Sequence, residues 1–179
     1  ADHVVVEDPG AGDVLAERLE ETAGELRGLG YDVTTRAFDV SRRAECVDAV
    51  ADCVARCGDL TVLVNCAGIV RFDHFTDVSE ESWNQVLGVN LSGPFFLIQA
   101  ALPHVIAAKG NVVNIASSNG LMGTSYTAPY AATKAALINL TKTLSVEYAE
   151  QPIRVNVVCP GPMATEIGVG LAMPQDMDH

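Results

Sequence analysis

Tyr130 and Lys134 stand four residues apart in a stretch of helical pattern, which puts both side chains on one helix face. A free phenol, with a pKa of about 10, is a poor base at neutral pH, and a neighbouring ammonium favours the phenolate. Such a pair could exchange a proton with an alcohol or carbonyl oxygen. Taken alone the spacing is weak, because most such pairs are ordinary helix surface. Ser117 strengthens it. This serine follows the apolar run Asn111–Ala116 and precedes Tyr130 by thirteen residues. The intervening segment is rich in Gly, Ser and Thr, so the chain can fold back and bring hydroxyl and phenol together. A serine there could hold a substrate oxygen before the phenol; the plainer alternative is that Ser117-Ser118-Asn119-Gly120 is only a polar turn. Asn65-Cys66-Ala67-Gly68 reads as a tight turn whose small residues let a flat ligand approach the backbone. Asn90 falls mid-helix, where an amide has modest propensity; it either faces solvent or makes a buried contact to water or backbone.

These residues need elements to position them. His3–Glu7 reads as a buried strand and residues 8–12 as a loop, with Asp13 capping a helix to about Leu29. Val33–Phe38 is a second strand, and Ser41 caps a helix through about Arg56, closed by Gly58. Leu60–Asn65 is a third strand, apolar enough to be covered on both faces. Ser79 heads a helical stretch to about Ala108, bent at Gly93-Pro94. Asn111–Ala116 is a fourth strand, a helix with Pro129 in its first turn runs to about Ala149, and Ile153–Cys159 is a fifth strand. Strands joined by helices predict a doubly wound parallel α/β sheet with right-handed crossovers in one domain over residues 1–179. Ligands bind such sheets beyond the carboxyl ends of the strands, which draws attention to Asp8, Asp39, Asn65, Ser117 and Pro160.

Composition narrows the classes. The chain has 179 residues, 49% hydrophobic and 19% charged, which suits a packed domain. A net charge of −12, with only 11 scattered Lys and Arg, argues against nucleic acid as a partner. No apolar run approaches the roughly 20 residues of a membrane span, and no secretory leader is visible. The five cysteines lack a CxxC pair; Cys53 and Cys57 share a helix face where they could ligate metal, but no histidine or second pair joins them. Reduced thiols in a cytoplasmic protein are the expectation.

The order and spacing of Asn65-Cys66-Ala67-Gly68, Val89-Asn90, Asn114-Ile115-Ala116-Ser117-Ser118, Tyr130-Ala-Ala-Thr-Lys134, Arg154-Val-Asn156 and Pro160-Gly161 together resemble the short-chain dehydrogenase/reductase family, from His3 to about Gly168. The resemblance implies a Rossmann-like fold and hydride transfer between a nicotinamide cofactor and a secondary alcohol or ketone. Tyr130 would be the general acid/base and Ser117 would position the substrate oxygen. Lys134 would lower the tyrosine pKa and bind the nicotinamide ribose, and Asn90 would hold the water of a proton relay. Asn65, Ala67 and Gly68 would line the adenosine side, with Asp39 and Val40 at the adenine; Pro160, Gly161, Met163 and Thr165 would surround the nicotinamide. Asp8 would meet the adenosine ribose and repel a 2′-phosphate, favouring NAD over NADP, although Pro9–Asp13 looks inserted and Glu7 or Asp13 could take that place. Self-association as a dimer or tetramer would use the long helices around Asn90 and Tyr130, including Phe95, Phe96, Leu137 and Leu140.

The family's opening strand and Gly-rich turn, whose amides bind the pyrophosphate, have no counterpart here. The C-terminal strand is also lacking, and the chain stops at Met173–His179 inside what resembles the substrate loop. Either the sequence is part of a longer polypeptide, the favoured expectation, or it is a truncated product that binds dinucleotide poorly. Loss of a central strand would expose edges and apolar faces. A non-catalytic binding or regulatory protein on the same fold is the rival reading, and an epimerase or dehydratase a third. Leu121, Met122 and Tyr126 could line a substrate pocket, but the substrate itself is not written in the sequence.

Overall fold

The structure is a computed structural model that describes residues 3–6 and 13–162. Its elements alternate as expected. Strand β1 (His3–Val6) leads to helix α1 (Asp13–Gly28), β2 (Asp32–Thr35), α2 (Arg43–Cys57) and β3 (Val62–Asn65). Helix α3 (Glu80–Leu87) continues through a π-helical turn at Gly88–Ser92 into α4 (Gly93–Ala107); β4 (Asn111–Ile115), α5 (Ala128–Glu147) and β5 (Arg154–Val158) follow. The strands are shorter than their apolar runs, and α1 begins at Asp13 itself.

Two helix starts show how local chemistry decides. Ser79 caps α3 as expected, its hydroxyl accepting the Ser82 amide at 3.1 Å. Ser41 does not cap α2: its amide and hydroxyl both donate to Asp39 Oδ1, at 2.9 and 2.6 Å, and the helix starts two residues later behind Arg42. Asp39 competes successfully for the serine because the side chain of Glu45, in the first turn of α2, holds the Asp39 amide at 2.8 Å. Where a bend is expected at Gly93-Pro94, the irregularity is instead a π-helical turn just before it, at Gly88–Ser92. Pro94 has no amide to give to the Asn90 carbonyl four residues back, so the disturbance is felt one turn N-terminal to the proline.

All pairing is parallel, in two pieces: β1 with β2, and β3–β4–β5 in that order. In a doubly wound sheet of order 3-2-1-4-5-6 the first strand separates the second from the fourth. If β1 and β3 stand as second and fourth, the break lies where the resemblance puts the strand that has no counterpart here. The expectation that β3 is covered on both faces fails. Leu63 and Asn65 are buried, whereas Val62 and Val64 are 51% and 48% exposed. Both α4 and α5 pack on the Leu63/Asn114 face, and among the described residues no helix covers the opposite one.

The core lies between that covered face and helices α2 and α4. Val40, Cys46 and Val50 meet Leu97, Ile98, Ala101 and Val105 there, with Leu63 and Val112 beneath them. Burying a side chain of that size contributes about 1.5–3 kcal/mol. The stretch Glu80–Ala107 is long and apolar enough to cross a bilayer, contrary to the sequence expectation, but half of its most apolar window is buried inside the fold. It is the central helix of the core.

Candidate active site

The carboxyl ends of β3, β4 and β5 bring the sequence-named residues to one edge. Beyond β4, the Ala116 amide donates to the Val158 carbonyl and the Ser118 amide to the Pro160 carbonyl, each at 2.8 Å. The chain after Ser117 is therefore tied to the turn after β5. A 3-10 turn follows at Ser118–Gly120, and the Ser117 hydroxyl accepts the Asn119 amide at 3.2 Å. That turn lies directly on α5. A Cβ at Gly120 would come within 2.7 Å of the Lys134 carbonyl carbon and 2.8 Å of the Ala135 nitrogen, so only glycine permits the approach. Close packing of this turn on α5 is what brings Ser117 to the helix bearing Tyr130 and Lys134.

Lys134 is 3% exposed, and its Nζ donates to the Ile115 carbonyl at 2.7 Å. The same ammonium stands 5.6 Å from the centre of the Tyr130 ring, within cation–π range. Burial pushes the lysine down to about 8, and the nearby Cys66 opposes that shift. Tyr130 is half-buried.

Asn90 is fully buried in the π-helical turn. Its Oδ1 accepts the Ile69 amide and its Nδ2 donates to the Ile69 carbonyl, both at 2.8 Å; Nδ2 also reaches Thr133 Oγ1 at 3.3 Å. The amide thus clamps the segment after the Asn65–Gly68 turn, and Thr133 links it to α5 by donating to the Tyr130 carbonyl at 2.8 Å. A second buried chain runs beneath. Asn65 Nδ2 donates to Asn114 Oδ1 at 2.7 Å, Asn114 Nδ2 to Thr141 Oγ1 at 2.9 Å, and Thr141 to the Leu137 carbonyl at 2.7 Å. Sequence reasoning gave no role to Thr133 or Thr141; the available signal was polar residues at positions where strand and helix periodicity demand apolar ones.

The remaining named residues divide. Ala67, Gly68 and Pro160 are half-buried and Gly161 is exposed, all at the strand-end edge. Asp39 is half-buried, with its carboxyl held below the usual range chiefly by the Ser41 hydroxyl. Val40 is completely buried against Gly93, so its side chain belongs to the core and only its main chain could meet a ligand. Leu121 and Met122 are exposed, and Tyr126, at φ +64°, packs edge-on against His74 at 5.1 Å. Asp8, Met163 and Thr165 lie outside the described residues.

Three features fit a dinucleotide with a ribose near Lys134. One of the ammonium's three donors goes to Ile115, leaving two for hydroxyl groups. Asn65 Oδ1 is buried with no protein partner at the head of the turn. A Cβ at Gly68 would fill the space 3.4 Å from Lys134 Nζ and 3.5 Å from Asn90 Oδ1.

Comparison with known proteins agrees. The sequence profile of the short chain dehydrogenase family matches residues 10–175. A 2-(S)-hydroxypropyl-CoM dehydrogenase 3 of Xanthobacter autotrophicus is 35% identical over 164 residues, 91% of this chain and 61% of that protein. The same organism's inactive 2-(S)-hydroxypropyl-CoM dehydrogenase 2 is 42% identical over 123 residues, 68% of this chain and 53% of that one. Among solved structures, a gluconate 5-dehydrogenase from Burkholderia cenocepacia J2315, in complex with NADP and tartrate, superposes with a TM-score of 0.82 at 32% identity, covering 92% of this chain and 63% of the other. The chain therefore spans about three fifths or less of the curated relatives it matches. With the strand–helix order, the serine turn packed on α5 and the profile match in agreement, this chain belongs to the short chain dehydrogenase family.

Proposed function

We propose that the protein exchanges a hydride between a nicotinamide cofactor and a secondary alcohol or ketone, with Ser117, Tyr130, Lys134 and Asn90 as its working set. The observation that carries this reading is the buried Lys134 ammonium, held by the Ile115 carbonyl and facing the Tyr130 ring. In the oxidising direction the Tyr130 oxygen takes the hydroxyl proton, and in the reducing direction it returns a proton to the carbonyl oxygen. Ser117 Oγ holds the reacting oxygen in place. Lys134 keeps a positive charge beside the phenol and gives its two remaining donors to a ribose. Asn90 fixes the Ile69 segment and holds the water of the proton relay that links Lys134 to solvent. The cofactor, when bound, supplies or accepts the hydride. Ala67, Gly68 and the main chain at Asp39–Val40 border its adenosine half, and Pro160, Gly161, Met163 and Thr165 its nicotinamide half.

NAD(H) is the proposed partner, in preference to NADP(H), on the strength of the carboxylate at Asp8. Because a structural relative holds NADP, the test has two arms: titration of the protein with NADH and with NADPH, following protein fluorescence. Saturable NADH binding, weaker NADPH binding and loss of the preference in Asp8→Ala support the reading; tighter NADPH binding overturns the choice of cofactor. Self-association is proposed through the α4 and α5 faces, where Phe95 is exposed, Phe96 and Leu140 are half-buried and Leu137 is core. A non-catalytic reading is favoured by one fact, that a relative 42% identical is named inactive. Retention of turnover-competent chemistry in the wild type, lost in Tyr130→Phe, decides between the two.

A further inference from the structure

Helix α2 carries three cysteines, Cys46, Cys53 and Cys57, none of which the proposed chemistry uses. Cys53 and Cys57 are four residues apart on it, and both are half-buried free thiols. That spacing holds their Cβ atoms about 5–6 Å apart on one helix face. They continue, toward the helix C-terminus, the buried stripe of Cys46, Ala49 and Val50. Cys46 is committed to the core, its thiol donating to the Val40 carbonyl at 3.1 Å. Burial first, and then the neighbouring Cys57, push the Cys53 thiol up to about 11. Nearby charges are engaged among themselves, with Asp52 paired to Arg56 at 2.9 Å and to Arg36 at 3.5 Å.

A disulfide does not suit this pair, since it needs Cβ atoms about 3.5–4.5 Å apart, closer than a helix holds them. A single soft atom between the sulfurs spans further, through two bonds of about 2.3 Å if zinc–thiolate lengths are a guide. Cys57 is the last residue of α2, and Gly58 follows at φ +86°, so the terminal turn can adjust around a bridging atom. We propose that Cys53 and Cys57 form a dithiol site for a thiophilic ligand that bridges two sulfurs, with trivalent organoarsenic oxides as the defining class. The reaction joins one R–As=O to two thiols. Two As–S bonds form, the As=O bond breaks, and both thiol protons leave with the oxygen as water. Arsenic stays trivalent, so no oxidant or reductant is needed. Alkylation, by contrast, requires the thiolate and is slow at a thiol that holds its proton tightly. The site shares no residue with the proposed catalytic set and does not depend on that reading.

The test is titration of the full chain with phenylarsine oxide, counting free thiols and measuring intact mass. One equivalent is expected to consume two of the five thiols. Cys53→Ser and Cys57→Ser should each weaken uptake by about a hundredfold or more, the gain that a second tethered ligand provides. Cys66→Ser and Cys159→Ser should leave it unchanged. In the unmodified chain, tryptic cleavage after Arg56 separates the two cysteines, so a bridge must appear as two peptides joined through arsenic, a readout independent of whether any variant folds. Five thiols remaining after one equivalent, or uptake persisting in both serine variants, or arsenic found on other cysteines, overturns the proposal.

Discussion

Replacing Lys134 by methionine removes the only charged side chain that is buried among the described residues. Burial lowers its pKa from 10.5 to about 8. The unfolded chain therefore keeps this proton up to pH 10.5, while the native chain releases it above 8. Between those values the unfolded state binds more protons, and stability contributed by this group rises with pH. Below pH 8 the native state carries the full penalty of a desolvated ammonium, about 3 kcal/mol at 1.36 kcal/mol per pKa unit. From about pH 7.5 to about pH 9.5 the wild type should gain about 2 kcal/mol on the Lys134→Met variant. Comparing the two proteins matters, because Cys53 titrates in the opposite sense. Its pKa is raised from 9.0 to about 11, so its contribution to stability falls as pH rises through that range, equally in both proteins. Urea unfolding at constant ionic strength, followed by circular dichroism and Trp83 fluorescence, reads the difference. A pH-independent difference, or one that favours the wild type most at low pH, would refute the claim that Lys134 is held in a desolvated site.

Thr141→Val leaves the Asn114 amide without its acceptor, and chemical denaturation should show a loss of about 1–3 kcal/mol with the fold retained. Asn90→Ala strands both the amide and the carbonyl of Ile69; it should destabilise by at least about 2 kcal/mol and raise hydrogen exchange at Ile69, which mass spectrometry can follow. Gly120→Ala forces the Ser117 turn off the α5 backbone. It should cost about 1–3 kcal/mol in a denaturation midpoint measurement and lower turnover further than that loss explains, since Ser117 moves with the turn.

Element order was legible from hydrophobic runs and turn residues, and so was the strand-end edge that carries Asn65, Ser117 and Pro160. What escaped depends on neighbours that local pattern does not encode. Leu60–Asn65 reads as apolar enough to be covered on both faces, yet Val62 and Val64 are exposed, and among the described residues no helix packs over them. Ser41 has the right chemistry for a cap but lies nearer to a carboxylate that wants both of its donors. The Tyr130–Lys134 spacing placed the two on one face. That the lysine is anchored by the main-chain carbonyl of Ile115 follows only from the packing of β4 on α5, since a backbone acceptor carries no residue signature. The same holds for Asn90. Its side chain spends both ends on the backbone of Ile69, a contact across twenty-one residues that a mid-helix asparagine does not announce.

The most direct test is a comparison of wild type and Tyr130→Phe across a panel of secondary alcohols with NAD and with NADP, following the near-ultraviolet absorbance of reduced nicotinamide. The account predicts reduction by the wild type with at least one alcohol and a loss of about 10²–10⁴-fold in the phenylalanine variant, with cofactor binding kept. Equal rates in the two proteins would contradict it, because the proton would then be travelling by a group other than Tyr130.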